Sequence, residues 1–446
     1  MLQSKTLLLW TALVCAMGVL LSSAGCGGTS SGTSPNSDPP DPTLPKIQHV
    51  IIVFQENRTP DNLFQGLSNA DIANSGVNSK GQVIPLTRVS LANGYDLGHG
   101  HADFVNMYDR GRMDGADKIG TSCGRRCPPS PQFKYVNPSE VAPYFKLAET
   151  YTFADRMFQT NQGPSFPAHQ FIISGTSAPS ETSDLFAAEN PAGVLNAFFY
   201  SGCMAPAGET VAMIDPEGLE SSARYPCFDH ATLMDLLDKQ SISWKYYTPS
   251  AGMIWTGPNA IQHLRFGPDW SNVVLHPAQV LLDIAESRLP AVSWVIPSGQ
   301  ESDHPGGSSL GPSWVASIVN AIGRSPNWSN TAIFITWDDW GGWYDHVAPP
   351  IYNSYQYGFR VPLIVVSPYA KAHYVSHVTH DFGSILRFIE ENFELSSLGY
   401  ADSRADDLSD CIDLNQVPLK FQTIAAPLKA QYFLNDQTPP ADPDDD

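Results

Sequence analysis

Two stretches of this chain join a hydrophobic run to a cluster of oxygen and nitrogen donors. Gln55-Glu56-Asn57-Arg58 follows the apolar run from Ile47 to Phe54, and Asp338-Asp339-Trp340-Gly341-Gly342-Trp343-Tyr344-Asp345-His346 follows the run from Thr331 to Trp337. Adjacent carboxylates at the end of a buried segment repel one another, so one must hold a proton or a cation must neutralise the pair. A divalent metal is the simplest cation. Glu56, Asp338, Asp339 and the Asn57 carbonyl are hard oxygen donors suited to calcium, magnesium or manganese, and an added imidazole admits zinc or iron. Asp is also a common turn and cap residue, and Asp338-Asp339 could simply open the Gly341-Gly342 turn. The matching Glu56-Asn57 pair at an equivalent position favours the metal.

A third stretch supplies a nucleophile. Gly163-Pro164-Ser165-Phe166-Pro167-Ala168-His169 leads into the apolar segment Gln170 to Ser174. A serine on a Gly-Pro turn at the start of a helix lies near free backbone N–H groups and the positive end of the helix dipole, a setting that favours phosphate. The same position suits an ordinary helix-capping serine. Beside a metal that lowers its pKa, Ser165 becomes a nucleophile without a histidine base. The Gly-x-Ser-x-Gly elbow of another hydrolase class is absent around it. His99 and His101, in Asp96-Leu97-Gly98-His99-Gly100-His101, and His304, in Asp303-His304-Pro305, are candidate phosphoryl-oxygen donors, leaving-group acids or metal ligands. Arg58 is placed to grip a phosphoryl group bidentately or to neutralise Glu56 or Asp61.

These residues need a scaffold that brings distant segments together. Ile47 to Phe54, Ala291 to Ile296, Thr331 to Trp337 and Val361 to Ser367 are short apolar runs, the pattern of strands buried on both faces of a parallel or mostly parallel sheet. Pro312 to Ile322 and His380 to Phe393 carry apolar residues at helical spacing. Strand and helix in alternation predict an α/β fold, a three-layer α/β/α sandwich. Ligands in such sheets bind beyond the carboxyl ends of the strands, where the acidic clusters fall. From about 175 to 240 the rhythm gives way to Gly, Pro, Ser and Ala, with Phe186, Phe198, Phe199 and Tyr200 among them. We expect an inserted cap there, within one catalytic domain spanning 46–435.

Composition narrows the function. The chain has 446 residues, 42% of them hydrophobic, and a formal charge of −20. The first two values describe a globular protein, and the charge disfavours nucleic acid as a partner. Lys5, the apolar run Thr6 to Leu21 and Ser23-Ala24-Gly25-Cys26 read as an export signal, with Cys26-Gly27-Gly28 resembling a lipoprotein processing site. A lipid-anchored or secreted protein is expected, with residues 27–45 as a flexible tether and 436–446 as an acidic disordered tail. Of the five cysteines beyond Cys26, local pairing joins Cys123 to Cys127 and Cys203 to Cys227, leaving Cys411.

Taken together, four motifs resemble the bacterial phosphoesterase family that contains phosphocholine-type phospholipases C and a respiratory-burst-inhibiting acid phosphatase. They are His49-Val50-Ile51-Ile52-Val53-Phe54-Gln55-Glu56-Asn57-Arg58-Thr59, then Gly163-Pro164-Ser165-Phe166-Pro167, then Trp337-Asp338-Asp339-Trp340-Gly341-Gly342-Trp343-Tyr344-Asp345-His346-Val347, and finally Arg360-Val361-Pro362 with Ser367-Pro368-Tyr369. The resemblance implies an alkaline-phosphatase-like fold, a metal held by Glu56, Asn57, Asp338 and Asp339, and a phosphoenzyme formed on Ser165. It also implies that His101 or His99, with His304, contacts the phosphoryl group or the leaving oxygen. Asp339 stands where the family usually has Glu, and Trp340 replaces a frequent His. Ser165, where the phospholipases commonly carry Thr, points to a phosphomonoesterase of the acid phosphatase kind. A phospholipase C acting on lipid head groups, and a surface binding protein that has lost its chemistry, are the alternatives.

Overall fold

The computed structural model describes residues 46–123, 127–193 and 199–440. The expected export signal, Cys26 and the tether lie outside the described residues, as do Phe198 and 441–446. The described residues form one compact unit.

Its centre is an eight-stranded sheet. In chain order the strands are β1 (His49–Gln55), β2 (Thr152–Ala154), β3 (Trp244–Tyr247), β4 (Val273–Val274), β5 (Val292–Val295), β6 (Thr331–Trp337), β7 (Leu363–Val366) and β8 (Tyr374–Ser376). Across the sheet they run β4-β3-β5-β1-β6-β7-β2-β8. All four apolar runs singled out in the sequence are strands of this sheet. β1 lies between β5 and β6 and is parallel to both. Val50 to Phe54 are fully buried, which is why the run reads as continuously apolar and not alternating.

β7 is the exception within the mostly parallel sheet that was expected, because it pairs antiparallel with both β6 and β2. Its cause is the connection. Parallel neighbours need a crossover, usually a helix, to return the chain to the starting edge. Residues 338–362 contain no helix among the elements of the chain, so the segment stays at the carboxyl end of β6 and enters β7 from there. That detour carries the acidic cluster.

Side chains on a strand alternate between faces, and two contacts show that both faces are covered. Phe54 packs on His169 and Phe382, from the helices Ser165–Ser174 and Phe382–Asn392. Its neighbour Gln55 reaches the Tyr144 hydroxyl of the helix Ala142–Thr150 on the other side. The result is a mixed, mostly parallel sheet between helical layers. In the helix Gly311–Arg324, Trp314, Val315, Ile318, Val319 and Ile322 are buried, each worth about 1.5–3 kcal/mol relative to exposure. The helix Phe382–Asn392 opens with a capping box of Asp381 and Ser384, which satisfies two otherwise orphaned donors.

Within the expected cap, Phe186–Ala187, Val211–Ile214 and Ser222–Arg224 form a small antiparallel sheet. Disulfides join Cys123 to Cys127 and Cys203 to Cys227, and Cys411 is free and buried. No helix among the described residues is long and apolar enough to cross a membrane.

Candidate active site

The carboxylates meet because β1 and β6 are parallel neighbours with Gln55 opposite Trp337. The next residues, Glu56 and Asp338, therefore leave the sheet side by side. Asn57 turns the chain with a positive φ of 60°, a conformation Asn tolerates better than most residues. Its N–H donates to Asp338 Oδ1 at 3.0 Å, and Arg58 N–H donates to the Asp339 carbonyl at 3.0 Å. Gly341 closes against this turn: a Cβ there would stand 2.5 Å from the Asn57 carbonyl oxygen. Glu56, Asn57, Asp338 and Asp339 are all fully buried.

Ser165 arrives from the other side. The loop after β2 is held by Gln159 Nε2 and Asn161 Nδ2, which donate to the Gly163 carbonyl at 3.0 and 2.8 Å. Ser165 is the first residue of its helix, after an extended Pro164, rather than its cap. Asn190 Oδ1, from the 175–240 segment, accepts the Phe166 N–H at 2.9 Å. The Ser165 hydroxyl is 3.5 Å from Glu56 Oε2, the outer limit of a hydrogen bond. One turn further on, His169 places Nε2 at 3.2 Å from Glu56 Oε1. Donor atoms of Glu56, His169 and Asp338 all lie within 4.8 Å of one another. Gly175 ends the helix with a φ of 71° and an N–H donated to the Phe171 carbonyl.

These groups fit a divalent cation. Two buried carboxylates, Glu56 and Asp338, converge with His169, while Asp339 turns its oxygens to the Gly341 N–H and towards His99; two buried oxygens, Asp338 Oδ2 and Asn57 Oδ1, carry no hydrogen bond. Stranding such acceptors without a partner is costly, and a hard cation accepts electron pairs from both.

The histidines divide into two groups. His99 Nδ1 donates to the Leu97 carbonyl at 2.8 Å, while Nε2 lies 3.2 Å from Asn57 Nδ2 and 3.9 Å from Asp339 Oδ2. His304 Nδ1 donates to the Pro305 carbonyl at 2.8 Å, and its ring centroid is 6.2 Å from that of His99. Burial, reinforced by His99, pulls the His304 pKa down to about 3; burial takes His169 down to about 4. His101 stands apart. It opens the helix His101–Tyr108, its N–H donates to Glu189 Oε1 at 2.9 Å, and Nδ1 is 2.6 Å from Glu220 Oε1. Its ring faces Tyr355 at 5.7 Å. Burial and the neighbouring Glu220 push the Glu189 carboxyl up to about 7.

Arg58 differs from its expected role as a phosphoryl clamp. It is fully buried, Nε and Nη2 donate to the Asp303 carbonyl at 2.8 and 2.6 Å, and Nη1 donates to Asn62 Oδ1. The guanidinium lies over the Trp343 ring. Its donors are directed at protein acceptors, and it braces the turn that carries His304. Arg360, from the fourth motif, grips Asp345 bidentately at 2.8 and 2.9 Å and reaches Asp61 at 3.3 Å. His346 bridges Asp61 and Asp71 at 2.8 and 3.0 Å. This network braces the 338–346 turn from behind.

The sequence reading passed over His169, Glu189, Asn190, Glu220 and Tyr355 as site residues. His169 was detectable, since four residues from Ser165 on a helix is one turn. The others come from the 175–240 segment and from 338–362, where no local pattern marks them.

A family model described as the phosphoesterase family matches residues 47–396. Non-hemolytic phospholipase C of Pseudomonas aeruginosa is 24% identical over 411 residues, covering 78% of this chain and 54% of that protein. Phospholipase C A of Mycobacterium tuberculosis is 24% identical over 412 residues, covering 78% and 73%. Non-specific phospholipase C6 of Arabidopsis thaliana is 24% identical over 313 residues, covering 63% and 52%. The chain spans about half the length of several of these relatives. Among solved structures, an alkaline phosphatase superfamily protein from Vibrio parahaemolyticus matches at 13% identity, covering 81% of this chain and 74% of that one, with a TM-score of 0.37. Murine ectonucleotide pyrophosphatase/phosphodiesterase 5 in complex with AMP matches at 7% identity, covering 82% and 100%, with a TM-score of 0.41. With the family model matching most of its length, the chain belongs to the phosphoesterase family.

Proposed function

We propose that this chain hydrolyses phosphoesters through a covalent phosphoseryl intermediate at Ser165, with a divalent cation held by Glu56, Asn57, Asp338 and Asp339 and flanked by His169. The observation that carries the reading is the approach of the Ser165 hydroxyl to Glu56, beside Asp338 and at the start of a helix. A bound divalent cation would lower the Ser165 pKa and offset charge on the phosphoryl oxygens. The cation is calcium, magnesium, manganese, zinc or iron.

In this reading Ser165 Oγ attacks phosphorus in line and gives its proton to solvent, and the bond from phosphorus to the leaving oxygen breaks, with that oxygen taking up a proton from solvent. Water then attacks the phosphoserine, releasing phosphate and restoring the hydroxyl. His99 and His304 each have Nδ1–H tied to a carbonyl, so Nε2 is the basic nitrogen on both rings. On His99 that nitrogen accepts the proton that water gives up in the second step, while His304, whose basicity burial suppresses, stays neutral beside it. Arg58 holds the His304 turn in place and does not touch the substrate. Glu189 and Glu220 tie the cap to His101, which lies between the two carboxylates, and Asn190 ties it to the start of the Ser165 helix.

The leading substrate class is a small phosphomonoester, on the strength of serine as the nucleophile. A second reading, a phosphodiester with a cationic head group, is favoured by Glu189 and Glu220 gathered beside Tyr355, because carboxylates and an aromatic face attract a quaternary ammonium. Hydrolysis of p-nitrophenyl phosphate beside p-nitrophenyl phosphorylcholine separates them. Faster turnover of the monoester supports the phosphatase reading; faster turnover of the choline diester replaces it with a phospholipase C. Membrane attachment through a lipidated Cys26 belongs to the same proposal and is supported by residues 5–28 of the sequence.

A further inference from the structure

A second cluster of metal-ligating groups lies at the edge of the sheet. His380, two residues before the helix Phe382–Asn392, is fully buried, as is Cys411. His380 Nδ1 is 2.9 Å from Asp406 Oδ1. Its other nitrogen, Nε2, is 3.4 Å from Asp410 Oδ1, 3.8 Å from Cys411 Sγ and 3.2 Å from the Ser376 hydroxyl. Cys411 Sγ is in turn 3.4 Å from Asp410 Oδ1.

The two nitrogens have different surroundings. On the Nδ1 side the distance is that of a charge-assisted hydrogen bond, about 2.7–2.9 Å. On the Nε2 side the Asp410 carboxylate is too far for one, and the Ser376 hydroxyl, which donates to Asp410 Oδ2, stands at 3.2 Å. Tetrahedral zinc, with arms of about 2.0–2.3 Å, sets its donors roughly 3.3–3.6 Å apart, close to the spacing of Nε2, Oδ1 and Sγ. The carboxylate on Nδ1 completes the arrangement, since metal-bound histidines characteristically donate their second N–H to a carboxylate.

We propose that His380 Nε2, Cys411 Sγ and Asp410 Oδ1 form a structural zinc site, with Ser376 Oγ as the fourth donor and Asp406 orienting the imidazole. Mixed sulfur, nitrogen and oxygen donors in tetrahedral array select zinc over calcium or magnesium. Binding releases the Cys411 thiol proton, and any second proton on His380, to solvent.

The site joins three parts of the chain. Ser376 ends β8, His380 precedes a helix of the sandwich, and Asp406 to Cys411 belong to the segment after that helix. Thr152 Oγ1 of β2 donates to the Cys411 carbonyl at 3.1 Å. The His380 carbonyl accepts the Phe158 N–H at 2.9 Å, on the loop that leads to Ser165. The metal therefore pins the C-terminal segment to the sheet edge and to the base of that loop. It also gives a role to the one described cysteine outside the disulfides.

Without a metal, the same groups would hold His380 as an imidazolium between two carboxylates, and the experiment must separate the two arrangements. The full chain is loaded with cobalt(II), freed of excess metal and examined for a sulfur-to-cobalt charge-transfer band in the near ultraviolet. The band is expected in the wild type and in Asp338→Asn, and is lost in Cys411→Ser. Its absence from the wild type, or its persistence in Cys411→Ser, overturns the proposal. Should Cys411→Ser fail to fold, zinc-edge X-ray absorption on the zinc-loaded wild type decides the matter. A sulfur neighbour at about 2.3 Å supports the site, and a shell of nitrogen and oxygen alone overturns it. Neither readout depends on phosphoesterase activity.

Discussion

His169 Nε2 lies 3.2 Å from Glu56 Oε1, and its Nδ1 lies 3.3 Å from the Tyr246 hydroxyl. Tyr246 gives its own proton to the Trp255 carbonyl at 2.7 Å, so Nδ1 must be the protonated nitrogen of a neutral His169. Nε2 then faces a carboxylate with a lone pair, an opposition that a cation between or beside them relieves. Replacing His169 with Ala is therefore expected to weaken metal binding, and with it turnover, by about 10–100-fold. Titrating activity against added metal checks this: the half-saturating concentration rises in the variant. An unchanged metal requirement would remove His169 from the site.

Arg360 is fully buried between Asp61 and Asp345. Arg360→Met leaves the buried Asp345 without its cation and Asp61 with His346 alone, a loss of about 3–5 kcal/mol. Chemical denaturation should show a midpoint shifted well below that of the wild type. A shift under about 1 kcal/mol would mean that the network contributes little to holding the 338–346 turn.

His346 makes part of this stability depend on pH. Burial works against its charge, but the hydrogen bond to Asp61 and the charges of Asp61 and Asp345 outweigh burial and raise its pKa to about 9. A folded-state pKa above the unfolded value of about 6.5 means that the imidazolium stabilises the fold. That contribution is full below about pH 6.5 and is lost as the pH rises through about 9. The gap in urea midpoint between the wild type and His346→Gln should be wide at pH 6 and narrow at pH 10. A gap independent of pH would contradict the assigned charge state.

Much of this framework was legible in the sequence because burial on both faces leaves an unmistakable mark. Ile51 to Phe54 could hardly be anything but an inner strand, and the acidic residues after it and after Trp337 announced the carboxyl edge. What the sequence could not say is that β1 and β6 are neighbours, and the meeting of Glu56 with Asp338 depends on that pairing. The antiparallel β7 was hidden for a related reason, since its four residues read alike in either direction and only the helix-free connection sets its sense. His99 and His101 looked equivalent on paper; the helix that begins at His101 sends one to Asn57 and the other to the carboxylates of Glu189 and Glu220. Arg58 showed only its charge, and its carbonyl partners at 91 and 303 are far off in sequence.

The central claim is that Ser165 becomes covalently phosphorylated during turnover. Acid quenching during hydrolysis of p-nitrophenyl phosphate, followed by peptide mass analysis, reads this directly. The account predicts a phosphate on the Gly163–His169 peptide at Ser165, absent from Ser165→Ala, together with a loss of turnover of at least about 1,000-fold in that variant, of the size seen when a nucleophile is removed. Steady hydrolysis by Ser165→Ala near the wild-type rate, with the variant folded and metal-loaded, would contradict it.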